Sequence, residues 1–173
     1  VLALVKLWDA TKREEFLNAA IEGIEYENSL FVPEKGNWKD ERVYSGEKAS
    51  DKGNYTVAWC HGAAGILLNR VKIYALLDKK HRDFLKHDIR EAVKTVVREG
   101  ILGNNCLCHG NLGNTEILEE YLKYFSDKAI LDHCITLRQI IAKNISREKY
   151  DCDNAYLFGY KLPGFMTGLC GMG

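Results

Sequence analysis

The chain has 173 residues, 46% apolar and 28% charged, and its 24 basic side chains balance 24 acidic ones. That length can bury a core without staples, and neutrality gives no electrostatic ground for a nucleic-acid or anionic-membrane partner. No apolar run is long enough to span a bilayer, and no signal-peptide pattern opens the chain. Six cysteines (Cys60, Cys106, Cys108, Cys134, Cys152 and Cys170) would suggest disulfides in a short secreted protein. In a helical chain well supplied with core residues they read instead as reduced thiols of a cytoplasmic protein. Two of them adjoin histidines, which favours metal binding over cross-linking.

Residues 1 to about 10 are densely apolar and predict a buried helix whose start lies outside the sequence. Thr11 is placed to cap a second helix, with Glu14 and Glu15 in the first turn where the helix dipole favours acid. Phe16, Leu17, Ala20, Ile21 and Ile24 then fall on one face, and Pro33 and Gly36 end the pattern. Residues 31 to 55 read as a long polar loop, of the kind that tends to be functional or mobile. After Trp59, a largely buried helix runs through Ile66, Leu67, Val71, Ile73 and Leu77, and an amphipathic one follows from about Arg82 to Glu99. Gly100 and Gly103 close it. A helix through Ile117, Leu118, Tyr121 and Phe125, another from about Lys128 to Lys143, and a polar loop to Pro163 complete the order.

Three Gly-x-x-Gly corners, Gly62 to Gly65, Gly110 to Gly113 and Gly168 to Gly171, recur at a period of about fifty residues, which predicts an array of helical hairpins. Each unit is a corner, an inner apolar helix, an outer amphipathic helix and a loop. The dense apolar character of the inner helices favours closure into an all-α toroid over an open solenoid. In the register of the repeat a further corner would precede Val1, so residues 1–173 are expected to form one domain that is incomplete at both ends.

The first two corners carry Trp59-Cys60-His61-Gly62 and Cys108-His109-Gly110. In repeat register Cys60 coincides with Cys108 and His61 with His109, and equivalent corners of a ring lie at one end. Cys60, Cys108 and His109 would supply a Cys2His zinc set that leaves the fourth tetrahedral position open. Helix N-termini lower thiol pKa values, and the thiolate is the ligand. Taken singly, a buried cysteine is a small hydrophobe; it is the repetition of the dipeptide at equivalent corners that points to metal. Cys106, Cys134, Cys152 and Cys170 have no histidine neighbour in register and read as packing or surface thiols. His81, His87 and His133 lie in polar helical stretches and read as solvated.

These corners, with Asn111-Leu112-Gly113-Asn114 and Pro163-Gly164-Phe165-Met166-Thr167-Gly168, resemble the cyclase motifs of the lanthionine synthetase C-like family. Ser29-Leu30-Phe31 with Gly36-Asn37-Trp38 is similar to the type 2 branch, in which the cyclase is the C-terminal part of a bifunctional lanthipeptide synthetase. The resemblance implies a zinc-dependent α/α toroid, with Cys60, Cys108 and His109 as metal ligands. It also implies a dehydrated precursor peptide as partner and a dehydratase domain in the same full-length chain. A peptide cysteine would add to dehydroalanine or dehydrobutyrine to form a thioether. The family's His-Gly-x-x-Gly corner, whose histidine is a proposed acid/base group, and an aspartate further back would lie before Val1. The present stretch alone is therefore expected to bind zinc without completing turnover. His61 remains either a proton donor or a packing neighbour of the metal, and Trp59 a pocket wall. The rival readings are a relative that binds glutathione, a helical-repeat scaffold whose zinc is structural, and an unrelated toroid enzyme. The last would need paired carboxylates facing the axis, and the corners offer none.

Overall fold

In the computed structural model of the protein, residues 1–41, 55–146 and 164–171 are described. Helices dominate, and the fold is all-α. They are α1 (Leu2–Thr11), α2 (Glu14–Ser29), α3 (Gly62–Tyr74), the short α4 (Lys79–Asp83), α5 (Leu85–Glu99), α6 (Asn111–Leu122) and α7 (Lys128–Ser146). The strands, β1 (Phe31–Val32), β2 (Asn37–Trp38) and β3 (Val57–Ala58), are two residues each. Among the described residues no helix is long and apolar enough to cross a membrane.

The packing follows the expected hairpins. α1 packs on α2, α3 on α5 and α6 on α7, while α3 also meets α1 and α6. α1, α3 and α6 thus form an inner row and α2, α5 and α7 an outer one. The inner character of α3 comes from small and aliphatic residues on nearly all sides: Ala63, Ala64, Leu67, Val71 and Ile73 are completely buried. Fully burying each of the larger ones contributes about 1.5–3 kcal/mol. α5 has the opposite design, with Leu85, Ile89, Ala92 and Val96 inward and, apart from the buried Asp88, charges outward.

Several local readings change. Thr11 does not cap α2: it is the last residue of α1, and its hydroxyl donates to the Leu7 carbonyl at 2.6 Å. The chain turns instead at Lys12, which adopts a left-handed conformation (φ 55°) and donates its N–H to the Trp8 carbonyl. α1 is less covered than its composition suggests, with Val5 buried but Leu7 45% exposed, because the helices packed on it cover only part of its circumference. The amphipathic segment from Arg82 is split at Phe84, because the Asp78 side chain caps a separate short helix by accepting the His81 N–H at 3.0 Å. The stretch after Phe31 is not wholly loop: Phe31 pairs with Trp38 and Val32 with Asn37 in an antiparallel hairpin, turning through Gly36 at φ 60°. The Phe31 and Trp38 rings meet across it at 4.8 Å.

Candidate functional site at the glycine corners

The first corner is a tight reversal. Val57 bridges to Gly62 and Ala58 to His61, leaving Trp59 and Cys60 at the tip, both exposed. Gly62 makes the reversal possible: its φ is +64°, and a Cβ there would lie 1.8 Å from the Thr56 carbonyl oxygen. Asn37 braces the corner from the hairpin. Its Oδ1 accepts the Ala63 N–H at 2.8 Å, and its Nδ2 donates to the Thr56 carbonyl at 3.3 Å.

The second corner is built by asparagines. Asn104 Oδ1 accepts the Cys106 N–H at 3.1 Å and its Nδ2 donates to the His109 carbonyl at 3.1 Å. Asn111 exchanges hydrogen bonds with the Leu102 backbone at 2.6 and 3.0 Å. Asn114 reaches furthest, donating from Nδ2 to the Gly100 carbonyl at 2.8 Å and to the Val57 carbonyl of β3 at 3.0 Å. That last bond fastens the second corner to the first. The third corner docks on the second, where the Cys108 N–H donates to the Met166 carbonyl at 2.8 Å. Residues 164–171 carry this contact, and Pro163 and Cys152 lie outside the described residues.

This scaffold makes the Cys60 and Cys108 thiols neighbours, although they are far apart in the chain. Burial, and then the neighbouring Cys60 thiol, push the Cys108 thiol up to about 11. Cys106 lies behind the pair, completely buried, and burial raises its thiol as well. Its sulfur accepts the His109 N–H at 3.4 Å, so it packs and shapes the corner. His109 is half-buried beside Cys108. Among the described residues no three His, Cys, Asp or Glu side chains stand grouped as a metal site. The structure therefore joins two of the three residues assigned to zinc.

His61 Nε2 lies 2.6 Å from Oδ2 of Asp40, whose side chain is almost fully buried. Beside Cys60 a cavity of about 430 Å³ opens, walled by Leu30, Trp38, Trp59, His61 and Ile66. Its volume is that of a small-ligand pocket, about 300–1,000 Å³. Cys134 is buried between helices, its thiol raised to about 11 by burial, and Cys170 is exposed, in keeping with packing and surface roles. Of the remaining histidines only His87 is well exposed. His81 is half-buried, its Nδ1 2.7 Å from Asp78, and His133 is half-buried in α7. His81 and His133 are less solvated than their polar neighbours in the sequence suggest, His81 because it sits at the Asp78 cap of α4.

The family profile of lanthionine synthetase C-like proteins matches residues 1–173. The chain belongs to the lanthionine synthetase C-like family. One curated relative is the lacticin 481/lactococcin biosynthesis protein LcnDR2 of Lactococcus lactis subsp. lactis, 29% identical over 182 residues that cover 98% of this chain. The chain spans 18% of that relative's length. Within the family's corners, sequence reasoning missed the asparagine braces and the Asp40 partner of His61. Asn111 and Asn114 stood inside a motif already singled out, and short amide side chains beside tight turns were the available signal. Asn37 also stood in a motif singled out, Gly36-Asn37-Trp38, but nothing local named the corner it braces, and Asp40, whose partner is distant in sequence, gave no signal.

Proposed function

We propose that this chain is part of a zinc-dependent cyclase that forms lanthionine thioethers in a dehydrated precursor peptide. The observation that carries the reading is the meeting of Cys60 and Cys108 at two equivalent corners, beside a cavity open to a peptide. Family membership and similarity to a lacticin biosynthesis protein support the same reaction class. The donor chemistry suits zinc: two neighbouring soft thiols, one of them pushed up by burial and by the other, form a pair that a divalent cation would stabilise as thiolates. Cys60, Cys108 and His109 would hold the ion, His109 being assigned by the motif. Bound zinc supplies the positive charge that keeps a peptide thiol deprotonated and nucleophilic near neutral pH.

The remaining work belongs to the chain. The glycine corners and their asparagine braces hold the two thiols at one point. Leu30, Trp38 and Ile66 give the peptide an apolar wall that excludes water, with Trp59 at its rim. Asp40 stands within ion-pairing distance of His61 at that wall. The new bond joins the peptide cysteine sulfur to the β-carbon of dehydroalanine or dehydrobutyrine, and a proton returns to the α-carbon. In this reading the helical hairpins close into a toroid, a dehydratase domain stands in the same full-length chain, and the protein works in the cytoplasm.

Metal analysis with a cyclisation assay tests the proposal. Purified protein is expected to carry about one zinc per chain, and Cys108→Ala to lose most of it, since one of three ligands is gone. Wild-type protein without zinc, or undiminished zinc in Cys108→Ala, would sink the site. With zinc present, a full-length protein that leaves every free thiol of a dehydrated peptide unconsumed would sink the reaction.

A further inference from the structure

One wall of the cavity beside Cys60 is made by a charge cluster that the proposed chemistry does not use. Arg70 of α3 is completely buried. Its Nε donates to Asp88 of α5 at 2.9 Å, and its Nη1 donates to Glu27 of α2 at 2.6 Å and to Asn69 Oδ1 at 3.1 Å. The two carboxylates differ in setting. Asp88 is buried (4% side-chain exposure) and neutralises Arg70 within the core, whereas Glu27 is 32% exposed and lines the cavity. One guanidinium therefore faces two carboxylates, and the surplus negative charge sits on the one that a ligand can reach. Lys39, on the same cavity, stands 3.7 Å from Glu41, which competes for its charge. Arg70 also pins Glu27, so the carboxylate needs no reordering to meet a ligand.

We propose that Glu27 is a specificity-determining residue that takes the cationic head of a lysine or arginine side chain next to the reacting cysteine of the peptide. Leu30, Trp38 and Ile66 line the route to Glu27 with apolar surface suited to the aliphatic stem of such a side chain. Trp59, exposed and lining the same cavity, adds an aromatic ring of the kind that attracts cations. The inference rests on the cyclase reading, because it takes the cavity occupant to be the peptide whose cysteine is brought to Cys60 and Cys108.

The test uses fluorescein-labelled synthetic peptides with one cysteine flanked on both sides by lysine, norleucine or glutamate, titrated against the full-length protein by anisotropy. The lysine peptide is expected to bind about tenfold tighter than its norleucine isostere, with glutamate the weakest. That advantage should vanish in Glu27→Gln and shrink as salt rises from about 50 mM to about 500 mM. Equal affinity for lysine and norleucine, a preference for glutamate, or a lysine advantage that survives in folded Glu27→Gln overturns the proposal. If Glu27→Gln does not fold, the wild-type salt series decides: a lysine advantage insensitive to salt overturns it. Thioether formation is followed separately on the same peptides carrying a dehydroalanine. Cyclisation without lysine preference removes only the specificity role, and lysine-selective binding without cyclisation removes only the cyclase reading.

Discussion

Gly62 shows what a single residue contributes here. Its left-handed φ of +64° folds the chain back so that Ala58 meets His61, and the Thr56 carbonyl fills the space a side chain would need. Replacement by alanine meets both obstacles, so Gly62→Ala is expected to cost about 2–4 kcal/mol. Gly103→Ala is the control, since a Cβ there has no atom within 4 Å. Urea denaturation reads both; an unchanged midpoint for Gly62→Ala would show that the corner relaxes. The glycine was visible in the sequence as half of a Gly-x-x-Gly signature. Why it had to be glycine was not, because the clash is with a carbonyl placed by the fold.

Among the elements, α3 is tied to its neighbours by charge as well as by apolar packing. Arg70 joins it to α2 and α5, and Lys72 reaches Glu120 of α6 at 2.9 Å. A charged residue inside this apolar helix is accommodated because its partners lie on two other helices. Glu120 makes the helix contact pH-dependent. Burial raises its pKa, but hydrogen bonds from Lys123 and Lys72 outweigh burial and hold the carboxyl below its ordinary range. A depressed carboxylate stabilises the fold above its unfolded value, about pH 4.3, and that contribution is lost as pH falls through the folded value. Both lysines are well exposed, so Glu120→Gln is expected to cost only about 0.5–1 kcal/mol at pH 7. The difference from wild type should fade below about pH 4. Thermal melts at the two pH values check the sign, and a constant difference would mean the effect is packing.

For the molecule as a whole, Asn114 joins the repeat units, since one amide serves carbonyls from two loops. Asn114→Ala leaves the Val57 and Gly100 carbonyls buried without that donor, and is expected to cost about 2–3 kcal/mol. It should also free Cys60 from Cys108, measured as slower cross-linking of the two thiols by a short bis-thiol reagent. Cross-linking at the wild-type rate in folded protein would show that the corners hold together without it. The helical hairpins, their order and the equivalence of the Cys60 and Cys108 corners were legible in the sequence. They follow from apolar spacing and from a repeat whose equivalent positions carry the same dipeptide. The break at Phe84 and the failure of Thr11 as a cap turned on local competition: an aspartate capped one turn early, and a left-handed lysine took over a turn. Tertiary structure alone decided which residues brace the corners and where the surplus charge lies. Asn37, Asp40, Glu27 and Arg70 act across gaps of many residues, and no local pattern encodes a partner that only folding brings near.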